Sequence, residues 1–245
     1  INNFEKGDKI ILYFVTNHGG TDGYQDEVDI SIDNIEILGS GLTNTIIHSR
    51  KTDLVVSNSK VDIQMYLTGD NSTIDIDSSQ VNHTSISGDN STIDLFNSIV
   101  TNSSISGLAT SGNDNNINIK YSFIKNNDIG IEMMGSGTTS LNSSMISYNG
   151  YGIHTEGRVN TNYSNITFNT KTGIYFSGNN FNNIKNSILW GNDITSYNQI
   201  HTGSGVTSIT YSTVQGSGAY GTSGGQYYFG DGIESRFFLD IDQIA

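Results

Sequence analysis

Gly69-Asp-Asn-Ser-Thr-Ile-Asp-Ile-Asp-Ser-Ser-Gln-Val-Asn-His-Thr-Ser-Ile-Ser87 runs directly into Gly88-Asp-Asn-Ser-Thr-Ile-Asp-Leu-Phe-Asn-Ser-Ile-Val-Thr-Asn-Ser-Ser-Ile-Ser106, and 12 of the 19 paired positions are identical. A period of this size is the mark of a repeat architecture, in which each unit closes its hydrophobic face only against its neighbours. Within the unit, Thr73-Ile74-Asp75-Ile76-Asp77 alternates apolar and polar residues, as does Asn116-Ile117-Asn118-Ile119-Lys120 further on. Period two is the signature of a strand with one buried face.

The Ser of Ser78-Ser79-Gln80-Val81 serves as a ruler along the rest of the chain. The same short pattern recurs around Ser59, Ser98, Ser122, Ser144, Ser164, Ser187 and Ser212, at spacings of 20, 19, 24, 22, 20, 23 and 25 residues. Strands that keep register while the loops between them change length describe a stack of coils. A second strand opens with glycine in Gly130-Ile131-Glu132, Gly152-Ile153-His154 and Gly173-Ile174-Tyr175, which suggests a tight corner. The expectation is an all-β, right-handed parallel β-helix of about nine to ten coils forming a single domain over residues 1–245. Residues 1–50 would make the opening coils, with a loop insertion at 16–25. Regular coils would fill 51–215, and 216–245 would be a cap or an interface. Aligned Ser and Asn at the corners would form hydrogen-bonded ladders, which accounts for most of the polar composition without catalysis.

Composition narrows the function classes. The 245 residues include 28 Gly and no Pro or Cys, so no disulfide or thiolate metal site is available. The net charge of −13, with only 11 basic residues, argues against nucleic acid as a partner. No apolar run reaches the length of a membrane span, so membrane insertion is not expected.

The residues also resemble the pectate-lyase-like superfamily of parallel β-helix repeats. The resemblance is carried at one end by Ile1-Asn-Asn-Phe-Glu-Lys-Gly7-Asp8-Lys-Ile-Ile-Leu12 and Val28-Asp-Ile-Ser-Ile-Asp-Asn-Ile-Glu-Ile-Leu-Gly39-Ser-Gly41. At the other, Asn186-Ser-Ile-Leu-Trp-Gly-Asn192, Gln199-Ile200 and Ile209-Thr-Tyr-Ser-Thr-Val-Gln-Gly216 resemble a terminal segment of secreted and cell-surface β-helix proteins of bacteria and archaea. The resemblance implies an extracellular or cell-surface location. It also implies either a structural, adhesion or assembly role, with a glycan or self-association through the solenoid ends as partner, or catalysis on an extracellular glycan. A fold of this kind does not choose between them. The leading expectation is the non-catalytic module.

Two outward columns carry the candidate chemistry. Glu132, His154 and Tyr175 each stand two residues after their coil glycine, and a carboxylate, an imidazole and a phenol on adjacent strands suit neutraliser, general base and general acid in β-elimination on a uronate. Glu156, Arg158 and Trp190 are the accompanying candidates for binding. Counting back from the ruler Ser places Asp75 beside Asp94, with Asp77 in the next column beside Phe96 and then Lys120. Three carboxylates on a rigid sheet would suit Ca²⁺, the one cofactor considered. His48, His83 and His201 are expected in unrelated coils, with no metal-ligand spacing. Polysaccharide lyase, hydrolase or epimerase activity is the enzymatic alternative.

Overall fold

The computed structural model describes residues 30–33, 36–38, 46–50, 53–57, 60–193, 199–202, 206–215 and 226–229. Side chains are described from residue 54 onward, except at 58–64, 202 and 226–229. The expected insertion at 16–25 and most of 216–245 lie outside the described residues, as does the pattern of the first twelve residues.

The chain is a parallel β-solenoid, and no helix occurs among the described residues. Its first face is a ten-stranded parallel sheet that includes Thr73–Asp77, Thr92–Phe96, Asn115–Lys120, Gly137–Asn142, Arg158–Asn162, Phe181–Lys185 and Val206–Thr210. The second face is a stack of short strands, Ile99–Thr101, Phe123–Lys125, Met145–Ser147, Asn165–Thr167, Ile188–Trp190 and Thr213–Val214. The third stacks Ser106–Ser111, Ile129–Met134, Tyr151–Thr155, Thr172–Phe176 and Ile200–Thr202. The second and third faces form one sheet because Gln80–Ser87 runs unbroken across both. Among the described residues there are about seven complete turns, slightly fewer than the nine to ten expected.

Alternation delivers the core. Val56, Ile76, Leu95, Ile119 and Leu141 stack inward along the first face, Val81, Val100, Ile124, Ile146, Ile166 and Leu189 along the second, and Leu108, Ile131, Ile153, Ile174 and Ile200 along the third. Each coil contributes one layer, and these inward residues pack on their equivalents in the neighbouring coils.

Two corners explain the ruler residues. At the first, the residue before each ruler Ser from Ser79 onward has left-handed backbone, from Ser78 at φ 49° through Tyr121 at 53° to Tyr211 at 50°. The turn buries the Ser, and the backbone N–H of Ser79 donates to Ser98 Oγ (3.0 Å), Ser98 to Ser122 (3.0 Å), and so on through Ser144, Ser164, Ser187 and Ser212. At the second corner Asn127, Asn149, Asn169 and Asn192 do the same with amides. Each Asn donates through both its backbone N–H and Nδ2 to the Oδ1 of the next, and Gln199 closes the series by accepting from Asn192.

The coil glycines have a different reason from the one expected. Gly130, Gly152 and Gly173 do not adopt positive φ. A Cβ on Gly152 would lie 2.4 Å from the carbonyl oxygen of Gly173 and 2.9 Å from Nδ2 of Asn169. Glycine is required there because the backbone carbonyl of the next coil, together with the amide ladder, fills the space a side chain would occupy.

Candidate functional site

Strand register on the third face places Ala109, Glu132, His154, Tyr175 and His201 in one outward column. The three residues expected together are therefore neighbours. Ser106 donates its hydroxyl to Glu132 Oε2, which anchors the carboxylate from the preceding coil. Glu132 Oε1 lies 3.9 Å from His154 Nδ1, with both side chains 26% exposed. That separation suits an ion pair when the imidazole is protonated, and it is too long for a hydrogen bond. The His154 ring meets Tyr175 edge-on at 5.0 Å, and Tyr175 stacks flat on His201 at 4.6 Å and 1°. Tyr151 packs against both His154 and Tyr175 from the side, beneath the Lys171 ammonium, which also pairs with Asp128 at 3.6 Å. The arrangement is a ladder of rings with a carboxylate at one end.

His83 and His201 lie in separate coils, as expected, and in no metal-ligand grouping among the described residues, yet both adjoin this column. His201 belongs to the column itself, and the signal was Gln199-Ile200-His201, which repeats Gly173-Ile174-Tyr175 with Gln in place of Gly. Substitution of the glycine and the long connection before it hid the match. His83 is buried on the third face, where its Nδ1 bonds the Ser106 carbonyl, so Nδ1 carries the proton and donates. Burial holds its pKa below the usual 6.5, partly offset by that bond and by the nearby Glu132 charge. Ser106 thus links His83 to Glu132 through its carbonyl and its hydroxyl.

The other candidates are dispersed. Glu156 is exposed in the turn leaving the third face, and its Oε2 accepts the Gly135 N–H at 2.8 Å. Arg158 opens a first-face strand and is exposed. Trp190 ends a second-face strand, opposite Thr167 in register. On the first face, Asp75 pairs with Asp94, and Asp77 with Phe96 and then Lys120, as the ruler predicts. Asp94 Oδ1 accepts Asn118 Nδ2 at 2.8 Å, and Asp77 Oδ1 accepts the Ser78 hydroxyl at 3.0 Å. Among the described residues, no three His, Asp or Glu side chains are grouped closely enough to hold a metal ion. Nor is any helix there long and apolar enough to cross a membrane.

The first face also carries a groove. It crosses five strands from Thr92–Phe96 to Phe181–Lys185, a length of about 19 Å at the usual strand spacing. Asp94, Asn118, Ser140, Asn160 and Asn183 line one side, and Phe96, Lys120, Asn142, Asn162 and Lys185 the other. Lys120 extends over the rings of Phe96 and Tyr121, at 5.9 and 5.0 Å from their centres. Counting two residues back from Ser144, Ser164 and Ser187 finds Asn142, Asn162 and Lys185, so the groove was open to the same count that found Lys120.

Comparison with known proteins finds no matching family model, no matching curated protein and no matching solved structure. What stands of the family resemblance is the parallel β-solenoid architecture.

Proposed function

We propose that this chain is a rigid, non-catalytic β-solenoid module, displayed outside the cytoplasm, that binds a polysaccharide along its first face. The observation that carries this reading is the groove itself, where side-chain amides and two lysines line a surface fixed by continuous parallel pairing. Amides offer a donor and an acceptor each, which suits vicinal hydroxyls, and a backbone already ordered by the fold lowers the entropy cost of binding. Membership of the pectate-lyase-like superfamily and a cell-surface location rest on the sequence motifs and fit this role. Affinity electrophoresis through gels containing neutral and uronate-rich polysaccharides tests it. Retardation by at least one polymer, reduced about tenfold in affinity by a combined Asn142→Ala and Asn162→Ala variant, is expected. Unretarded migration through every gel would reject the reading.

A second reading is favoured by the third-face column. Glu132, His154 and Tyr175 sit on consecutive strands with the carboxylate anchored by Ser106. A lyase acting on a uronate-containing glycan would release unsaturated, ultraviolet-absorbing products, with or without added Ca²⁺. Their absence across a panel of such glycans removes this reading. Association of copies through the solenoid ends is a further partner class, visible as concentration-dependent light scattering.

A further inference from the structure

Beside the groove, the first corner presents one residue per coil with left-handed backbone, Ser78, Asn97, Tyr121, Ser143, Tyr163, Asn186 and Tyr211 in order. Asn and Ser are small residues, and Asn in particular tolerates this conformation; an aromatic ring brings no backbone advantage. Yet from Tyr121 onward tyrosine occupies every second rung. The rings are 50% exposed at Tyr121, 63% at Tyr163 and 57% at Tyr211. The side chains of Tyr163 and Tyr211 make no hydrogen bond, ion pair or ring contact among the described residues, while Tyr121 is propped edge-on by Phe96 at 5.7 Å and has the Lys120 ammonium 5.0 Å from its ring centre. By contrast Tyr148 and Phe168, at the second corner, stack on each other at 5.5 Å, and the Phe168 ring fills the space left at Gly191. Those rings have an internal use that Tyr163 and Tyr211 lack.

We infer that Tyr121, Tyr163 and Tyr211 are a stacking ladder for a straight polysaccharide whose residues alternate in orientation, the class formed by β-1,4-linked pyranoses, lying parallel to the solenoid axis along the groove. The inference rests on the polysaccharide reading of the first face and names its ligand. Two coils advance about 9.6 Å, so the rings repeat at that interval along one edge. In a β-1,4-linked chain each residue is turned over relative to the last, and equivalent faces recur in a straight line every second residue, at closely similar length. Each ring then meets a sugar face, while the intervening rungs, Ser143 and Asn186, face the inverted residues with small polar side chains. The residues before the corner, Lys120, Asn142, Asn162 and Lys185, supply hydrogen bonds along the same edge. Chains that coil, such as β-1,3- or α-1,4-linked glucans, rotate their faces away from such a line.

Titration calorimetry with cellohexaose, chitohexaose and β-1,4-mannohexaose, against laminarihexaose and maltohexaose, tests the ladder. At least one β-1,4 hexaose is expected to bind and the two coiled controls are not. Tyr163→Asn, which matches the residue at rungs 97 and 186, should weaken binding about 2- to 10-fold. The double variant Ser143→Tyr, Tyr163→Asn keeps three exposed rings but breaks their spacing, and it should bind as weakly as the single variant. Thermal unfolding of both variants close to wild type shows that the fold is retained. If both bind like wild type while Asn142→Ala weakens binding, the ladder is wrong and the groove stands. Equal binding of laminarihexaose also overturns the ladder. Failure of every polysaccharide to bind overturns the ladder and the proposed function together.

Discussion

At the residue scale, His83 shows how burial turns an ordinary side chain into a pH-sensitive one. Its pKa is pushed below 6.5 chiefly by desolvation, against the opposing pull of the Ser106 carbonyl and the Glu132 charge. The unfolded chain therefore takes up a proton at a pH where the folded chain does not. This contribution to stability is fully present above about pH 6.5 and is lost as pH falls from there toward the folded value. Denaturant midpoints measured between about pH 5 and pH 8 should fall on the acid side, and His83→Leu should flatten that slope relative to wild type. Glu132→Gln should steepen it, because the carboxylate is one of the groups that raise the imidazole pKa. An unchanged slope in His83→Leu would show that other groups carry the acid sensitivity. None of this was legible in the sequence, where His83 stands among polar residues at Asn82-His83-Thr84-Ser85. Its burial follows from Gln80–Ser87 running continuously across two faces, where later coils break into two strands.

At the element scale, the corners hold the coils in register. Asn149 Oδ1 accepts from both the backbone N–H and Nδ2 of Asn127, and its own Nδ2 donates to the Ile124 carbonyl and to Asn169 Oδ1. Asn149→Ala removes these partners inside a corner that water does not reach. At about 1–3 kcal/mol for each buried group left unpaired, the loss should be roughly 3 kcal/mol or more. Tyr148→Asn, one residue earlier on the exposed side of the same corner, should cost far less, and urea denaturation of the two variants compares them. Similar losses would mean that the ladder is not what stabilises the corner. The Ser ladder was readable because the ruler Ser recurs in every coil, and the glycines at 130, 152 and 173 were readable as special. The reason for the glycines was not, since close approach to an amide one coil away leaves no local signature.

At the scale of the whole molecule, each coil packs only on its neighbours, so an interior coil has two interfaces and a terminal one has fewer. Amide hydrogen exchange should be slowest for the inward strands from about Ile93 to Ile174 and faster toward both ends, because opening can start wherever only one neighbour must be given up. Uniform protection along the chain would indicate a single cooperative unit instead. The sequence by itself determined the solenoid, the alternation of buried and outward positions, and the neighbours Asp75 with Asp94 and Glu132 with His154 and Tyr175. It could do so because a fixed strand spacing and a period of two convert residue counting into position wherever a recurring Ser or Gly marks the coil. Only the tertiary structure decided the number of complete turns, the burial of His83 and the arrival of His201 in the column. Those features depend on coils of unequal length being brought into register through the core, and the chain does not display that registration until it has folded.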